Sequence, residues 1–313
     1  MPSALRMNRL FELARSGRRL PHVGVALVIT GVFVVGGTLL TGLPTVLALR
    51  ATVGGPAALR DQPTLQGLAF AAELAGGFGG IYLLLWAWLR WFEKRPFYTL
   101  GLEGAGAAAR YARGFGLGGL LFVAALGVSA LGGGLAYEPG PAARQGWAAL
   151  GGVLAALLGW LVQGAAEEIL TRGWLMGVIG ARYRPGLGVL LSALVFTALH
   201  GLNNALSPLP VLNLFLFGLL AALYALWEGS LWGIAALHSA WNWAQGNVFG
   251  LEVSGSQAGG GVLFNLQATG ADWLTGGAFG PEGGLAVTVV LGIGLAFLAW
   301  RLRQRSGSFI RPE

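Results

Sequence analysis

Eight predominantly apolar segments, several of them about 20 residues long, constrain the fold of this chain more than any other feature of its sequence. A helix needs about 20 apolar residues to cross about 30 Å of hydrocarbon. An isolated strand cannot satisfy its backbone hydrogen bonds within lipid, so helix is the expected state. The sequence therefore predicts an all-α, polytopic membrane protein whose helices form one bundle with an intramembrane cavity. The predicted spans are 23–49, 66–90, 115–136, 146–170, 187–204, 208–227, 231–248 and 284–301.

Composition and charge agree with a membrane location. Apolar residues make up 55% of the chain and charged residues 11%. The chain has no cysteine, which excludes disulfides, thiolate metal ligands and a cysteine nucleophile. Its net charge of +7 comes from short basic patches beside the apolar runs, without a basic groove lined by aromatic residues. We therefore expect contacts with the lipid bilayer and no binding of nucleic acid.

The distribution of basic residues predicts the orientation of the chain. With the N-terminus inside, 17 of the 20 lysines and arginines lie on inner segments, and only Arg50, Arg60 and Arg144 lie outside. This asymmetry is typical of a multi-pass protein of the cell membrane with both termini in the cytoplasm. Three regions are expected. They are 1–145 with a basic N-terminus and spans one to three, 146–250 with spans four to seven, and 251–313 with an external glycine-rich loop and the final span.

Three short polar motifs interrupt the predicted spans four, five and seven. They are Glu167-Glu168-x-x-x-Arg172, Phe196-x-x-x-His200 and His238-x-x-x-Asn242. Ionisable groups in apolar helices are costly, and they usually face a bundle interior or a water-filled cavity. Two carboxylates, two imidazoles and one carboxamide on three such helices indicate an active site.

The two adjacent glutamates are predicted to have different roles, because their side chains point about 100° apart on a helix. Glu168 lies four residues before Arg172, so these two can pair. Glu167 is then left as a poorly solvated carboxylate, which suits a general base. Gln163 lies one turn before Glu167 and is placed to orient it. The alternative is that both glutamates only balance Arg172 at the cytoplasmic end of span four.

The histidines admit two interpretations. His238 and Asn242 share one face of span seven, and their two donors could converge on one point, as an oxyanion hole requires. In the other interpretation Glu167, His200 and His238 bind zinc together with a water. The chain has no H-E-x-x-H motif, so such ligands would come from separate helices. No cofactor is required by the first interpretation, and the sequence leaves zinc open.

Access to this site is expected from the cytoplasm. Glu167 is counted near the cytoplasmic end of span four, and His200 is counted as the deepest residue, forming the floor of the cavity. Among the other intramembrane polar residues, Asn213 is interpreted as a packing residue, and Glu73 either serves the cavity or makes a helix contact. The segment 250–283 is interpreted as a flexible external loop.

Together the three motifs resemble those of the CPBP family of intramembrane proteases, the CAAX-processing and bacteriocin-processing group. The resemblance covers about 150–250 and implies a protease core there, within an eight-helix endopeptidase. It implies that Glu167 with His200 activates water, that His238 and Asn242 stabilise the oxyanion, and that Glu168, Arg172 and Phe196 support them. Both metal-dependent and glutamate-type mechanisms have been ascribed to the family.

The resemblance implies a protein or peptide substrate at the membrane, and the bacterial-looking composition argues against a prenylated CAAX protein. The alternative is a non-catalytic membrane scaffold or bacteriocin-immunity protein of the same fold. A proton-coupled transporter could also use Glu and His residues as a relay. Inverted repeats would favour transport, and the sequence has none. Nothing in the sequence indicates the oligomeric state.

Overall fold

The structure is a computed structural model that describes residues 8–59 and 61–308. Helices account for almost all of its regular structure. They are α1 (Arg9–Arg15), α2 (Val23–Gly37), α3 (Leu43–Val53), α4 (Pro63–Trp88), α5 (Ala107–Leu131), α6 (Leu150–Glu168), α7 (Gly177–Arg182), α8 (Pro185–Leu199), α9 (Pro208–Glu228), α10 (Trp232–Trp243), α11 (Asp272–Thr275) and α12 (Leu285–Ser308). Two short strands, β1 (Leu135–Tyr137) and β2 (Leu266–Ala268), pair antiparallel. The predicted all-α fold is confirmed.

Several consecutive helices are joined by π-helical segments into longer rods. The segment Thr38–Gly42 joins α2 to α3, and Ile169–Met176 joins α6 to α7. Two more π-helical segments extend α4 and α10 to Glu93 and Val248. π-helical turns are often found at functional sites, and the longest of these segments begins directly after Glu168.

Within the described residues, six helical segments are long and apolar enough to cross a membrane. They are Val23–Val53, Pro63–Glu93, Ala107–Leu131, Gly146–Arg182, Pro208–Glu228 and Leu285–Arg305. The other two predicted spans correspond to α8, which is shorter, and to α10 with its π-helical extension. The structure therefore supports a multi-pass membrane bundle, and the predicted count of eight spans is not confirmed.

The fourth of these segments is longer than expected. The sequence predicts that this span ends at residue 170, whereas the helical rod continues to Arg182. Thr171, Arg172 and Gly173 lower the local hydropathy and suggest an end, yet all three are buried. Glu167 therefore lies in the middle of a long rod and not at its end.

Glycine brings α6 and α10 into close contact at the level of the polar motifs. A methyl group at Gly164 would lie 2.6 Å from Ser239 Oγ and 2.8 Å from its backbone nitrogen. A residue larger than glycine would push the two helices apart. The absence of a side chain at Gly164 thus lets His238, the neighbour of Ser239, approach the glutamates of α6.

The segment between α10 and α12 is folded onto the bundle. Its strand β2 pairs with β1, and its backbone makes further hydrogen bonds, including Leu263 N to Asn247 O at 3.0 Å and Gly255 N to Phe279 O at 2.8 Å. The glycine content suggested a flexible loop, but many of these glycines serve tight turns. Gly280, for example, has φ +95°, and a side chain there would collide with the Glu252 carbonyl.

Candidate active site

The two adjacent glutamates point to different surroundings, as their helical spacing predicts. The Glu168 side chain is completely buried, and the Glu167 side chain is 15% exposed and lines a cavity. Arg172 Nη1 lies 2.9 Å from Glu168 Oε1, which confirms the predicted ion pair. Arg172 also lies over the ring of Phe196, 4.4 Å from its centroid, so the first two motifs are in contact.

Glu168 has a second partner that the sequence does not reveal. Its Oε1 lies 2.9 Å from Nδ1 of His238 on α10. Because the Glu168 carboxylate pairs with Arg172, it accepts this hydrogen bond and the imidazole Nδ1–H donates it. This hydrogen bond turns the other ring nitrogen of His238, Nε2, towards Glu167. Glu168 thus fixes both the orientation and the tautomer of His238.

The fixed tautomer changes what His238 can do. In a neutral imidazole with hydrogen on Nδ1, Nε2 is an acceptor, and it donates only when the ring is protonated. An oxyanion-hole role for His238 therefore requires an imidazolium. Glu167 Oε2 lies 4.0 Å from Nε2 and Glu168 Oε1 lies 2.9 Å from Nδ1, so an imidazolium at this position would have two carboxylates beside it.

His200 is the C-cap residue of α8, and its ring lies close to Glu167. Its Nδ1 donates to the carbonyl oxygen of Phe196 at 2.8 Å, so Nε2 is left as an acceptor. His200 Nε2 lies 3.9 Å from Glu167 Oε2, and His238 Nε2 lies 4.0 Å from the same atom. Glu167 Oε2 is shielded from solvent and has no hydrogen-bond partner in the described part of the chain. One unsatisfied carboxylate oxygen therefore lies between two imidazole nitrogens.

A chain of carboxamides holds the other oxygen of Glu167. Gln163 Nε2 donates to Glu167 Oε1 at 2.6 Å, and Asn242 Nδ2 donates to Gln163 Oε1 at 2.9 Å. Asn242 therefore contacts Glu167 only through Gln163. The second hydrogen on Asn242 Nδ2 remains available to a ligand in the cavity that Asn242 lines.

These side chains line a cavity of about 450 Å³. Its walls are mainly apolar, and α2, α4, α9 and α12 contribute to them beside α6, α8 and α10. Its polar lining combines the predicted residues Gln163, Glu167, His200, His238 and Asn242 with Asn203, Asn213, Ser254, Ser256 and Glu282. The structure thus brings together the four residues proposed as catalytic. Glu73 does not line this cavity.

Glu282 and Ser254 are lining residues that the sequence did not indicate. Ser254 donates to Glu282 Oε2 through its backbone nitrogen at 2.8 Å and through its hydroxyl at 2.7 Å. Both residues lie in the glycine-rich segment, which has no helical periodicity from which a shared face could be read. Asn213 Nδ2 donates to the carbonyl oxygen of Glu282 at 2.7 Å, so this packing residue also supports the cavity.

The connecting segments that line the cavity all lie on one face of the helical bundle. Its lining includes Asn203, Ser254 and Glu282 from the segments that follow α8 and α10. In the described residues, none of the connections on the opposite face, 94–106, 183–184 and 229–231, contributes to the lining. If the N-terminus is inside, this face is the outer one, so the predicted orientation and the predicted cytoplasmic access do not both hold. His200 lies at the end of α8 near this face and does not form the floor.

The geometry does not fit the alternative zinc site. In a tetrahedral zinc site with each ligand atom about 2.1 Å from the metal, neighbouring ligand atoms lie about 3.4 Å apart. Here Glu167 Oε2 lies 3.9 Å from His200 Nε2 and 4.0 Å from His238 Nε2, which is farther apart than such a site requires. In the described part of the chain, no group of three or more His, Cys, Asp or Glu side chains is arranged to hold a metal ion.

Comparison with protein families finds a match for the central part of the chain. Residues 149–244 match the family model described as type II CAAX prenyl endopeptidase Rce1-like. Comparisons with curated proteins and with solved structures give no match. All three polar motifs, and the helices α6 and α7 of the long rod that carries Glu167, lie within the matched residues. Residues 149–244 are therefore similar to a type II CAAX prenyl endopeptidase Rce1-like domain, and this similarity supports the predicted resemblance to the CPBP intramembrane proteases.

Proposed function

We propose that the protein is an intramembrane endopeptidase that hydrolyses peptide bonds of membrane-associated proteins or peptides with water activated by Glu167. The observation that carries this proposal is the unsatisfied Glu167 Oε2 between His200 Nε2 at 3.9 Å and His238 Nε2 at 4.0 Å. These separations are too long for direct hydrogen bonds, and a polar contact of this length suits a bridging water. The family match over 149–244 supports the same class of reaction.

The first step is attack of water on the substrate carbonyl. Glu167 Oε2 takes one proton from the water, while His200 Nε2 accepts its second hydrogen in a hydrogen bond and orients it. The water oxygen forms a bond to the carbonyl carbon, and the carbonyl electron pair moves to oxygen. The resulting oxyanion accepts hydrogen bonds from Asn242 Nδ2 and from the protonated Nε2 of His238.

The second step breaks the peptide bond. The tetrahedral intermediate collapses, and its carbon–nitrogen bond cleaves as the carbonyl re-forms. Glu167 returns the proton it took from water to the leaving nitrogen. The products are a carboxylic acid and an amine, and Glu167 is again a carboxylate. The hydrogen bond from Gln163 to Glu167 Oε1 leaves Oε2 free to carry this proton in both directions.

Hydrolysis by the purified protein tests this proposal. The full chain in lipid nanodiscs is incubated with a mixture of peptides in water enriched in oxygen-18, and products are identified by mass spectrometry. We expect new C-termini that carry the heavy oxygen. The double variant Glu167→Gln/His200→Ala, prepared identically, serves as the control for contaminating proteases. Products of equal yield from this variant, or none from either protein, would support the non-catalytic alternative.

A chelator arm addresses the metal question in the same experiment. We expect hydrolysis to continue in the presence of EDTA or 1,10-phenanthroline, because the mechanism assigns activation of water to Glu167. Loss of hydrolysis that is restored by added zinc would contradict this mechanism while leaving the endopeptidase class intact.

A further inference from the structure

Glu282 places a second carboxylate on the cavity that contains Glu167. It lies in the turn Pro281–Gly283 directly before α12. Asn213 of α9 fixes this turn through hydrogen bonds to the carbonyl oxygens of Glu282 at 2.7 Å and Gly284 at 2.9 Å. Thr288 of α12 in turn donates to Asn213 Oδ1 at 2.7 Å. The backbone at Glu282 is therefore held by two helices, although it belongs to a connecting segment.

The hydrogen bonds of Glu282 leave part of its carboxylate available. Ser254 occupies Oε2 with both its backbone nitrogen and its hydroxyl, at 2.8 and 2.7 Å. No hydrogen bond to Oε1 is found within the described residues, and Oε1 is not one of the fully shielded unpaired atoms. The side chain is thus held by hydrogen bonds at Oε2, and Oε1 can accept hydrogen bonds from a ligand.

Apart from its two histidines, the described lining of the cavity carries only acidic ionisable side chains. Among the described lining residues the acidic groups are Glu167 and Glu282, and neither lysine nor arginine is present. Arg172, in the π-helical segment that follows α6, is fully buried and pairs with Glu168. His200 and His238 are the remaining titratable groups of the lining, and the proposed mechanism uses both. A carboxylate in a mainly apolar cavity is stabilised most strongly by a ligand that carries a positive charge.

We propose that Glu282 is a specificity-determining residue that binds a lysine or arginine side chain of the peptide substrate close to the cleaved bond. This inference rests on the proposed endopeptidase function and adds the charge of the substrate. The same geometry disfavours substrates whose cleaved bond lies next to a free C-terminal carboxylate, since that group would enter a cavity already lined by two carboxylates.

Peptide binding tests the inference without requiring turnover. Fluorescent peptides with blocked ends differ at one central position, which is lysine, norleucine or glutamate, and a fourth peptide carries a free C-terminal carboxylate. Binding is measured by anisotropy with the full chain in nanodiscs, in a Glu167→Gln background. This background removes the other carboxylate of the lining, so the remaining charge preference reports on Glu282.

We expect the lysine peptide to bind at least about tenfold more tightly than the glutamate peptide, and the peptide with a free carboxylate to bind weakly. Adding Glu282→Gln should reduce the preference for lysine to within about twofold, because the amide keeps the bonds from Ser254 but carries no charge. Glu282→Asp should retain the preference. The matched control Glu252→Gln changes a carboxylate of the same segment that does not line this cavity, and it should leave the preference unchanged.

The norleucine peptide reports on the integrity of the cavity and should bind equally to all these variants. A lysine preference that is absent, or that persists in Glu282→Gln, would overturn the inference. Its failure is distinguishable from failure of the proposed function. Hydrolysis by the wild-type protein without charge selection contradicts only the inference, whereas charge-selective binding without hydrolysis contradicts only the endopeptidase function.

Discussion

Glu168 and His238 are joined by a 2.9 Å hydrogen bond between α6 and α10, and this bond links the first polar motif to the third. The same carboxylate oxygen accepts from Arg172 at 2.9 Å. Glu168 therefore does more than neutralise an arginine, because it also sets which nitrogen of His238 faces the cavity. The three groups form one buried network whose members depend on each other.

Removal of the Glu168 charge should destabilise the fold. In Glu168→Gln the buried Arg172 guanidinium loses its anionic partner, and breaking a buried ion pair typically costs about 3–5 kcal/mol. We expect a clearly lower Tm in detergent. The double variant Glu168→Gln/Arg172→Met should recover part of the loss, since it leaves no unpaired charge. Glu73→Gln, which lies on α4 outside the cavity, is the control. A Tm of Glu168→Gln equal to that of the wild type would contradict the network.

Asn242 is expected to act directly on the oxyanion and not only through Gln163. Loss of one oxyanion donor typically lowers turnover by about 10²–10³-fold, so Asn242→Ala should lower kcat far more than it raises KM. The Gln163→Leu variant separates the two roles. If Asn242 contacts the oxyanion, Asn242→Ala should remain strongly deleterious in the Gln163→Leu background. If it only positions Gln163, the second substitution should add little, and our assignment is wrong.

Cysteine labelling can determine which face of the membrane the cavity serves. The chain has no cysteine, so single cysteines report without background. With the predicted orientation, Leu202→Cys and Asn203→Cys should react with a membrane-impermeant thiol reagent in right-side-out vesicles. Arg184→Cys, on the opposite face, should react in inside-out vesicles. The reverse pattern would show that the positive-inside prediction fails for this chain and that the cavity faces the cytoplasm.

The sequence predicted the local part of the site better than its surroundings. Helical spacing is sufficient to place Arg172 on the face of Glu168 and Gln163 on the face of Glu167, because these contacts span four residues. The contact of Glu168 with His238 joins residues 70 positions apart, and no local pattern encodes it. Hydropathy alone misplaces the boundaries of these spans, and with them the depth of Glu167 and His200. The rod of α6 continues through buried polar residues, and α8 ends before His200.

Glu282 predicts a specific dependence of stability on pH. Burial raises the pKa of its carboxyl above the ordinary value of 4.5, an effect that the hydrogen bonds from Ser254 and positive charge on His200 and His238 oppose. The folded state thus holds this proton more tightly than the unfolded chain. The associated stability is present below pH 4.5 and is lost as the pH rises through the folded pKa.

The neutral variant Glu282→Gln should not lose stability in this way as the pH rises. Its Tm relative to the wild type should therefore increase between pH 4.5 and pH 8, measured by thermal unfolding in one detergent. Glu167, His200 and His238 are unchanged in the variant, so only their interaction with the Glu282 charge remains in the difference. A Tm difference that stays constant over this range, or one that Glu252→Gln reproduces, would contradict a raised pKa at Glu282.

The most direct test of the central claim is the initial rate of peptide hydrolysis by Glu167→Gln beside the wild type. The amide can keep the hydrogen bond to Gln163 but cannot take a proton from water, so the account predicts a folded protein with an unchanged Tm and turnover lowered by at least about 10²-fold. Glu73→Gln should retain the wild-type rate. Hydrolysis by Glu167→Gln at the wild-type rate, on a peptide that the wild type cleaves, would contradict the assignment of Glu167 as the base.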